Sequence, residues 1–309
     1  MTHGRAFLPQ HPRRAMLQTL LTAPHRPFGR RRFLRTGLLL PSAWLVALAP
    51  VPARAQLGVT QALRVLEERD TQFGRIAVVE KGRKRYLAYG PGRHFVYQSV
   101  LDLDRPQELA APYTQLMMLG AVYAQPHSRM AHIGVGAGNM AGYAVRTFPT
   151  AVVSAVDIDP DVVALGAKYF GLAPHPRLQI HIEDGRRWLA ASRERFDVVM
   201  LDAYDADSIP PPLRDAAFFQ LVASRLAPGG VAMQNVYLPI VETRPLLTAM
   251  RRAFAQVDVY RVGQSAVLAL YQGPPRDAAA LERRARELDA QLRPAHAFTG
   301  LLRHRVRSL

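Results

Sequence analysis

From residue 130 onward, short apolar runs and amphipathic stretches alternate along the chain. The runs at 130–133, 152–156, 178–182, 198–201 and 231–235 predict strands, and 140–148, 160–170, 186–191, 215–225 and 241–254 carry helical spacing between them. Two further runs, 257–262 and 266–271, flank Gly263 and predict closing strands. Leu226-Ala227-Pro228-Gly229-Gly230 reads as a helix stop followed by a turn into the next strand. Alternation of this kind implies α/β architecture with a Rossmann-like, doubly wound, mostly parallel sheet. Upstream the period falls to two. Residues 64–68, 74–80, 84–89 and 95–103 alternate apolar and polar positions around turns at Lys81-Gly82 and Gly90-Pro91-Gly92, which predicts a small antiparallel β unit. Between the two regions, 112–123 predicts one helix, with Pro112 in its first turn and Tyr113, Leu116, Met117, Leu119 and Ala121 at helical spacing. Residues 276–309 predict one charged helix and a basic tail, and no internal repeat is visible.

Composition adds a leader to this picture. The 309 residues carry a formal charge of +16, yet residues 1–55 hold nine arginines and no acid, which leaves 31 basic against 24 acidic residues beyond them. An excess concentrated in a leader and a tail, without a basic run interleaved with aromatics, argues against nucleic-acid binding. Arg30-Arg31-Arg32-Phe33-Leu34-Arg35 fits a twin-arginine export pattern, followed by the apolar stretch 37–49 and a small-x-small site at Ala53-Arg54-Ala55. That stretch is too short to span a bilayer, so the expected membrane contact is transient, through the leader, and the expected destination is the periplasm or beyond. A cytoplasmic protein with a basic extension is the alternative. Cysteine is absent, which excludes disulfides and thiol chemistry. The organisation that follows is an export signal over 1–55, an N-terminal β domain over 56–110, a nucleoside-binding catalytic domain over 111–275, and the tail.

Candidate chemistry concentrates at strand ends, because ligands of a doubly wound sheet lie at the carboxyl ends of its strands. The first parallel strand runs into Gly134, Gly136 and Gly138, where glycine allows a tight turn and lets backbone N–H groups approach a ligand. The second ends on Asp157, an acid at the distance where ribose hydroxyls are bound. After the third come Asp184 and Gly185, with a carboxylate where an adenine amino group would sit. After the fourth come Asp202, Asp205 and Asp207. Each acid taken singly is explained as a helix cap or turn former. A series of acids on successive strand ends points instead to an adenosyl or nucleotide site. The last cluster could coordinate a hard cation or hold and deprotonate an amine; the amine reading fits the neighbouring adenosyl site. Ser208 lacks a nucleophile elbow, which excludes the usual hydrolase pattern. Ile209-Pro210-Pro211-Pro212 predicts a stiff segment over the pocket.

Taken in order, several pieces resemble the polyamine aminopropyltransferases (the spermidine synthase family), and especially its bacterial spermidine synthase-like branch. They are Glu67-Glu68-Arg69-Asp70-Thr71 before Gly74-Arg75-Ile76, Tyr97-Gln98-Ser99, Tyr113, the glycine loop, Val156-Asp157-Ile158-Asp159-Pro160, Asp184-Gly185, Asp202-x-x-Asp205, and Leu226 to Gly230. The resemblance implies transfer of an aminopropyl group from decarboxylated S-adenosylmethionine to an amine, with no metal and no permanently bound cofactor, by a homodimer or homotetramer. It implies that Asp157 binds ribose and Asp184 adenine, that Asp202 is the catalytic acid or base with Asp205 beside it, and that Tyr113, Gln98 and Asp207 line the amine side. S-adenosylmethionine-dependent methyl transfer, and non-catalytic binding of a nucleoside or polyamine by an exported protein, are the alternatives.

The sequence departs from the family pattern in one half of the site. Where the family's glycine loop carries Asp, this chain has Ala137, and an acidic family segment becomes Leu109-Ala110-Ala111-Pro112-Tyr113-Thr114-Gln115. A Tyr-Gln pair becomes Phe73-Gly74, and Asp-Pro-x-Gly-Pro becomes Asp205-Ala206-Asp207-Ser208-Ile209-Pro210. The nucleoside half is kept while the diamine half loses charged partners, each a charge-assisted hydrogen bond to a dication.

Overall fold

The computed structural model describes residues 62–90, 96–205 and 208–308. The expected export signal and Asp207 lie outside the described residues. The N-terminal strands form an antiparallel meander of β1 (Arg64–Thr71), β2 (Gly74–Lys81), β3 (Lys84–Tyr89) and β4 (Val96–Asp102). The rest builds around an eight-stranded sheet among the described residues. In chain order, α1 (Pro112–Met117) and α2 (Gly120–Tyr123) lead into β5 (Arg129–Ile133), α3 (Asn139–Thr147), β6 (Val152–Asp157), α4 (Pro160–Tyr169), β7 (Leu178–Ile182), α5 (Gly185–Ala191) and β8 (Phe196–Leu201). Then follow α6 (Ala216–Arg225), β9 (Leu226–Tyr237), α7 (Thr243–Ala253), β10 (Gln256–Val262), β11 (Ser265–Tyr271), α8 (Ala278–Leu292), α9 (Phe298–Leu302) and β12 (Arg305–Ser308).

The strand order is β12-β10-β11-β9-β8-β5-β6-β7, with β7, β6, β5, β8 and β9 parallel and the others antiparallel. Strand order reverses between β5 and β8, with β6 and β7 laid to one side and β8 and β9 to the other, so the loops after β5 and β8 diverge and open a crevice. Period-two alternation sorts side chains to two cores. Met130, Val198 and Met200 pack with α1, α2, α3, α8 and α9, whereas Ala131, Ile133, Val199 and Leu201 pack with α6 and α7 through Phe218, Phe219, Leu246 and Met250.

A third core joins the small sheet to the large one. Ile76, Val78, Leu87 and Leu101 bury against Ala137, Val162, Leu165 and Phe170. Polar contacts fix the same seam: Thr71 Oγ1 donates to Asp159 Oδ2 at 2.8 Å, Arg69 Nη1 to Asp161 Oδ1 at 2.7 Å, and Tyr169 Oη to Glu67 Oε2 at 2.8 Å. The small sheet is thereby held as one wall of the crevice.

Three expectations need correction. The helix expected over 112–123 is two short ones, because Met118 and Leu119 donate three residues back and bend the chain. The bend lets Gly120 lie against Val198 and Met233, where a Cβ would stand 2.6 Å from Val198. Leu226 to Gly230 is not a turn before the strand but part of β9 itself. Leu226 pairs with Phe196 and Val231 with Val198, so Pro228, Gly229 and Gly230 bulge within the ladder.

The third correction concerns the C-terminal segment, which is integral rather than a solvated tail. Phe298 and Leu301 bury in the first core, and β12 adds to the sheet edge along β10. Its anchor is Arg305, whose Nη2 donates to the fully buried Asp258 at 2.7 Å, while the Tyr123 and Tyr271 hydroxyls donate to the same carboxylate. Removing one partner of a buried ion pair strands the other in low dielectric. Arg305→Ala should therefore lower unfolding stability by about 3 kcal/mol in urea titrations. Arg303→Ala, at an exposed neighbour, should change it by less than about 0.5 kcal/mol.

Candidate active site

A cleft of about 910 Å³ lies between the small sheet and the carboxyl ends of the parallel strands. Five carboxylates line it (Asp157, Asp159, Asp184, Asp202 and Asp205), and among the described residues no Lys, Arg or His does. The chain is basic overall, so this charge reversal is local and suits cationic ligands.

The glycine loop forms the near rim. Gly134, Gly136 and Gly138 have φ of 89°, 53° and 81°, in the left-handed region that favours glycine. Its backbone N–H groups do not face open space as expected, because the chain's own side chains take them. Val135 N and Gly136 N donate to Asp157 Oδ2 at 2.8 and 3.1 Å, and Ala137 N donates to Ser99 Oγ of β4 at 3.1 Å. Asp157 Oδ1 accepts from Asp159 N at 3.1 Å. Burial pushes the Asp157 carboxyl up from its ordinary value, and these N–H groups pull the other way. A carboxylate offers about four lone-pair sites, so these three donors leave one on Oδ1 for a hydroxyl in the cleft.

Asp184 N-caps α5 by accepting from Arg187 N at 2.8 Å, and it borders the cleft. Gly185 follows because a Cβ there would stand 2.4 Å from Ile133 Cγ2 at the end of β5. Ala137 is fully buried in the core shared by the small sheet and α4. The position that is acidic in the family pattern is thus an apolar packing position here.

At the centre, Asp202 follows the end of β8, partly buried on the cleft floor. Tyr113 Oη of α1 donates to its Oδ2 at 3.1 Å, and Asn235 Nδ2 of β9 donates to its Oδ1 at 2.8 Å. Burial pushes the Asp202 carboxyl up to about 7 despite those two donors. A carboxylate poised there exchanges protons readily at neutral pH. The Tyr113 hydroxyl is itself raised well above its ordinary value, by burial and then by the charge of Asp202, and so stays a donor. Behind them the Tyr204 hydroxyl donates to Asn235 O at 3.0 Å and accepts from Tyr237 N at 2.8 Å, which locks the β8–β9 junction.

The other expected residues fall around this centre. Asp205 borders the cleft but is exposed, and its Oδ1 accepts from Ser208 N at 2.7 Å, the turn-forming role. Gln98 lines the wall contributed by β4. Ile209 is buried in the second core, and the segment after it places Pro210, Pro212 and Leu213 over the cleft. Sequence reasoning missed Asn235 and Ser99. Asn235 ends the fifth predicted strand, so the strand-end rule that found Asp202 also reaches it. Ser99 gives no such signal, since only the docking of β4 brings it to the loop.

Solved structures with similar folds include a probable spermidine synthase from Corynebacterium glutamicum, with a TM-score of 0.59 and 20% identity over 76% of this chain and 95% of that one. A spermidine synthase in complex with the transition-state analogue AdoDATO gives 0.63 and 17% over 79% and 86%. A human methyltransferase-like protein in complex with SAH gives 0.55 and 23% over 60% and 95%. These define the class: a Rossmann-like α/β fold, which spermidine synthases and methyltransferases share. Among curated proteins, the polyamine aminopropyltransferase of Chromobacterium violaceum is 29% identical over 224 residues, 70% of this chain and 84% of that protein. That of Neisseria meningitidis is 28% identical over 174 residues, 56% and 65% respectively. The spermine/spermidine synthase domain model matches residues 112–267, just over half of the chain. The chain belongs to the spermine/spermidine synthase family and is a transferase.

Proposed function

We propose that the protein transfers an aminopropyl group from decarboxylated S-adenosylmethionine to a small amine. The observation that carries this reading is Asp202, held by Tyr113 and Asn235 at the floor of a cleft lined by acids and, among the described residues, by no base. Both reactants are cations, a sulfonium and an ammonium, and such a cleft concentrates and orients both.

In this reading the adenosyl group lies along the ends of β5, β6 and β7. Asp157 meets the ribose, Asp184 and Gly185 meet the adenine, and the turns at Gly134, Gly136 and Gly138 shape the rim. Asp202 takes a proton from the incoming ammonium and frees its lone pair. The nitrogen then attacks the carbon next to sulfur. The C–N bond forms as the C–S bond breaks, and the electron pair stays on sulfur, giving methylthioadenosine and an extended amine. Tyr113 and Asn235 keep the two oxygens of Asp202 in place, Gln98 lines the wall from β4, and Asp205 stands at the exposed rim.

Methyl transfer from intact S-adenosylmethionine is less well supported. Its α-carboxylate would find no lining cation among the described residues, and the loop N–H groups from Val135 to Ala137 are already bonded. We also propose export through the twin-arginine leader and a homodimeric or homotetrameric assembly. To test the activity, purified protein is incubated with each sulfonium donor and an amine panel, and products are identified by mass. Methylthioadenosine from the decarboxylated donor is the expected result. S-adenosylhomocysteine from the intact donor would replace the reading with methyl transfer, and binding without turnover would leave a carrier.

A further inference from the structure

We propose that the acceptor is a primary monoamine with an uncharged, apolar tail rather than a diamine, an inference that rests on the aminopropyl-transfer reading. Sheet order gives the cleft a direction. Its carboxylates sit at the ends of β6, β7 and β8, from Asp157 and Asp184 to Asp202. Beyond β8 the cleft continues over β9 and β11, two strand spacings or about 10 Å, long enough for the body of a small amine.

Among the described residues, charge does not continue with it. The described lining there is Tyr237 at the end of β9, Pro239 and Ile240 just after it, and Ser265 at the start of β11, with Leu109 and Ala111 from the segment before α1. Asp205, the next carboxylate along, is exposed and its Oδ1 already holds the Ser208 N–H. An amine whose nitrogen reaches Asp202 therefore extends its other end along an apolar wall. A second ammonium on that wall gives up its water with no carboxylate among the wall's described residues to replace it, which is costly. A methyl or phenyl terminus buries apolar surface there and is favoured. The same region lacks acids in sequence, where residues 109–115 read Leu-Ala-Ala-Pro-Tyr-Thr-Gln. Asp202 activates the reacting nitrogen, and the apolar wall selects the tail.

The test uses matched acceptors with full-length protein and decarboxylated donor. Hexylamine is compared with hexamethylenediamine, and phenethylamine with putrescine, and methylthioadenosine release is the common readout. In each pair the monoamine should show kcat/KM at least about tenfold higher, the worth of one unsatisfied charged group. Equal values, or a preference for the diamine, would overturn the inference. Ile240→Asp puts a carboxylate on the exposed part of the wall and should move the ratio about tenfold toward the diamine; an unmoved ratio counts against the tail lying there. If no amine yields methylthioadenosine, the transfer reading fails. The acceptor inference is then decided by calorimetry of the same amines on protein saturated with methylthioadenosine. Tighter monoamine binding supports it, and tighter diamine binding, or none by either, rejects it.

Discussion

Asp202→Asn is expected to lower kcat for methylthioadenosine release by about a thousandfold, the range spanned by loss of a positioned general base. Methylthioadenosine affinity should stay within about twofold, because in the proposed reading the nucleoside end rests on Asp157 and Asp184 rather than on β8. The asparagine keeps the shape of the side chain and can still accept from Asn235 Nδ2, so a collapsed site would not explain the loss. Steady-state kinetics with calorimetry on the same sample separates the two quantities. A variant with more than about a tenth of wild-type kcat would remove Asp202 from the chemistry.

The same substitution has a stability signature with a definite sign. Burial lifts Asp202 from its ordinary 3.8 to about 7 in the folded protein. Between those values the native state holds a proton that the unfolded chain has released. The stabilisation from a neutral Asp202 is whole below about pH 4 and is lost as pH rises through about 7. Asparagine carries no such loss. Relative to wild type, the variant's urea midpoint should rise across that window and level off above it. An inactive variant that is more stable at pH 8 would identify a residue kept for chemistry at the expense of stability.

Gly134→Ala should be the most damaging single change on the loop, lowering stability by about 3 kcal/mol or more and abolishing nucleoside binding. Its φ of 89° disfavours an L side chain, and a Cβ there would stand 2.6 Å from Asp202 O and from Ala203 Cα, both backbone atoms. Backbone at the β5–β8 junction cannot yield without moving Asp202. Gly138→Ala offers the contrast. Its φ of 81° carries similar strain, but the nearest atoms belong to the Leu172 side chain, which can turn away. About 1–2 kcal/mol is expected there from the left-handed backbone. Parallel urea titrations of the two variants measure the difference, and equal losses would mean that the junction is softer than its contacts indicate.

Much of this site was legible in the sequence because strand ends in a doubly wound sheet converge by rule. Gly134, Asp157, Asp184 and Asp202 each follow a predicted strand, and all four line one cleft. Tyr113 came from the family pattern, and the fold brings it to Asp202. What stayed hidden depends on long-range docking. Ser99 reaches the loop only because the small sheet packs on α4, and β12 follows a segment whose charge suggested solvent. Asp205 shows the limit of counting acids. It stands in the right cluster, yet its carboxylate holds a turn at Ser208.

The hydrogen bonds of the glycine loop also decide what the cleft refuses. In dinucleotide-binding proteins a turn of this sequence type leaves its N–H groups open to a pyrophosphate. Here an anion arriving at that turn would find a carboxylate already seated and the three N–H groups from Val135 to Ala137 committed. Like charges that close repel strongly away from bulk water. In the proposed reading, the loop whose glycines advertise ATP, NAD and coenzyme A turns them away, and the cleft takes adenosyl compounds that carry no phosphate.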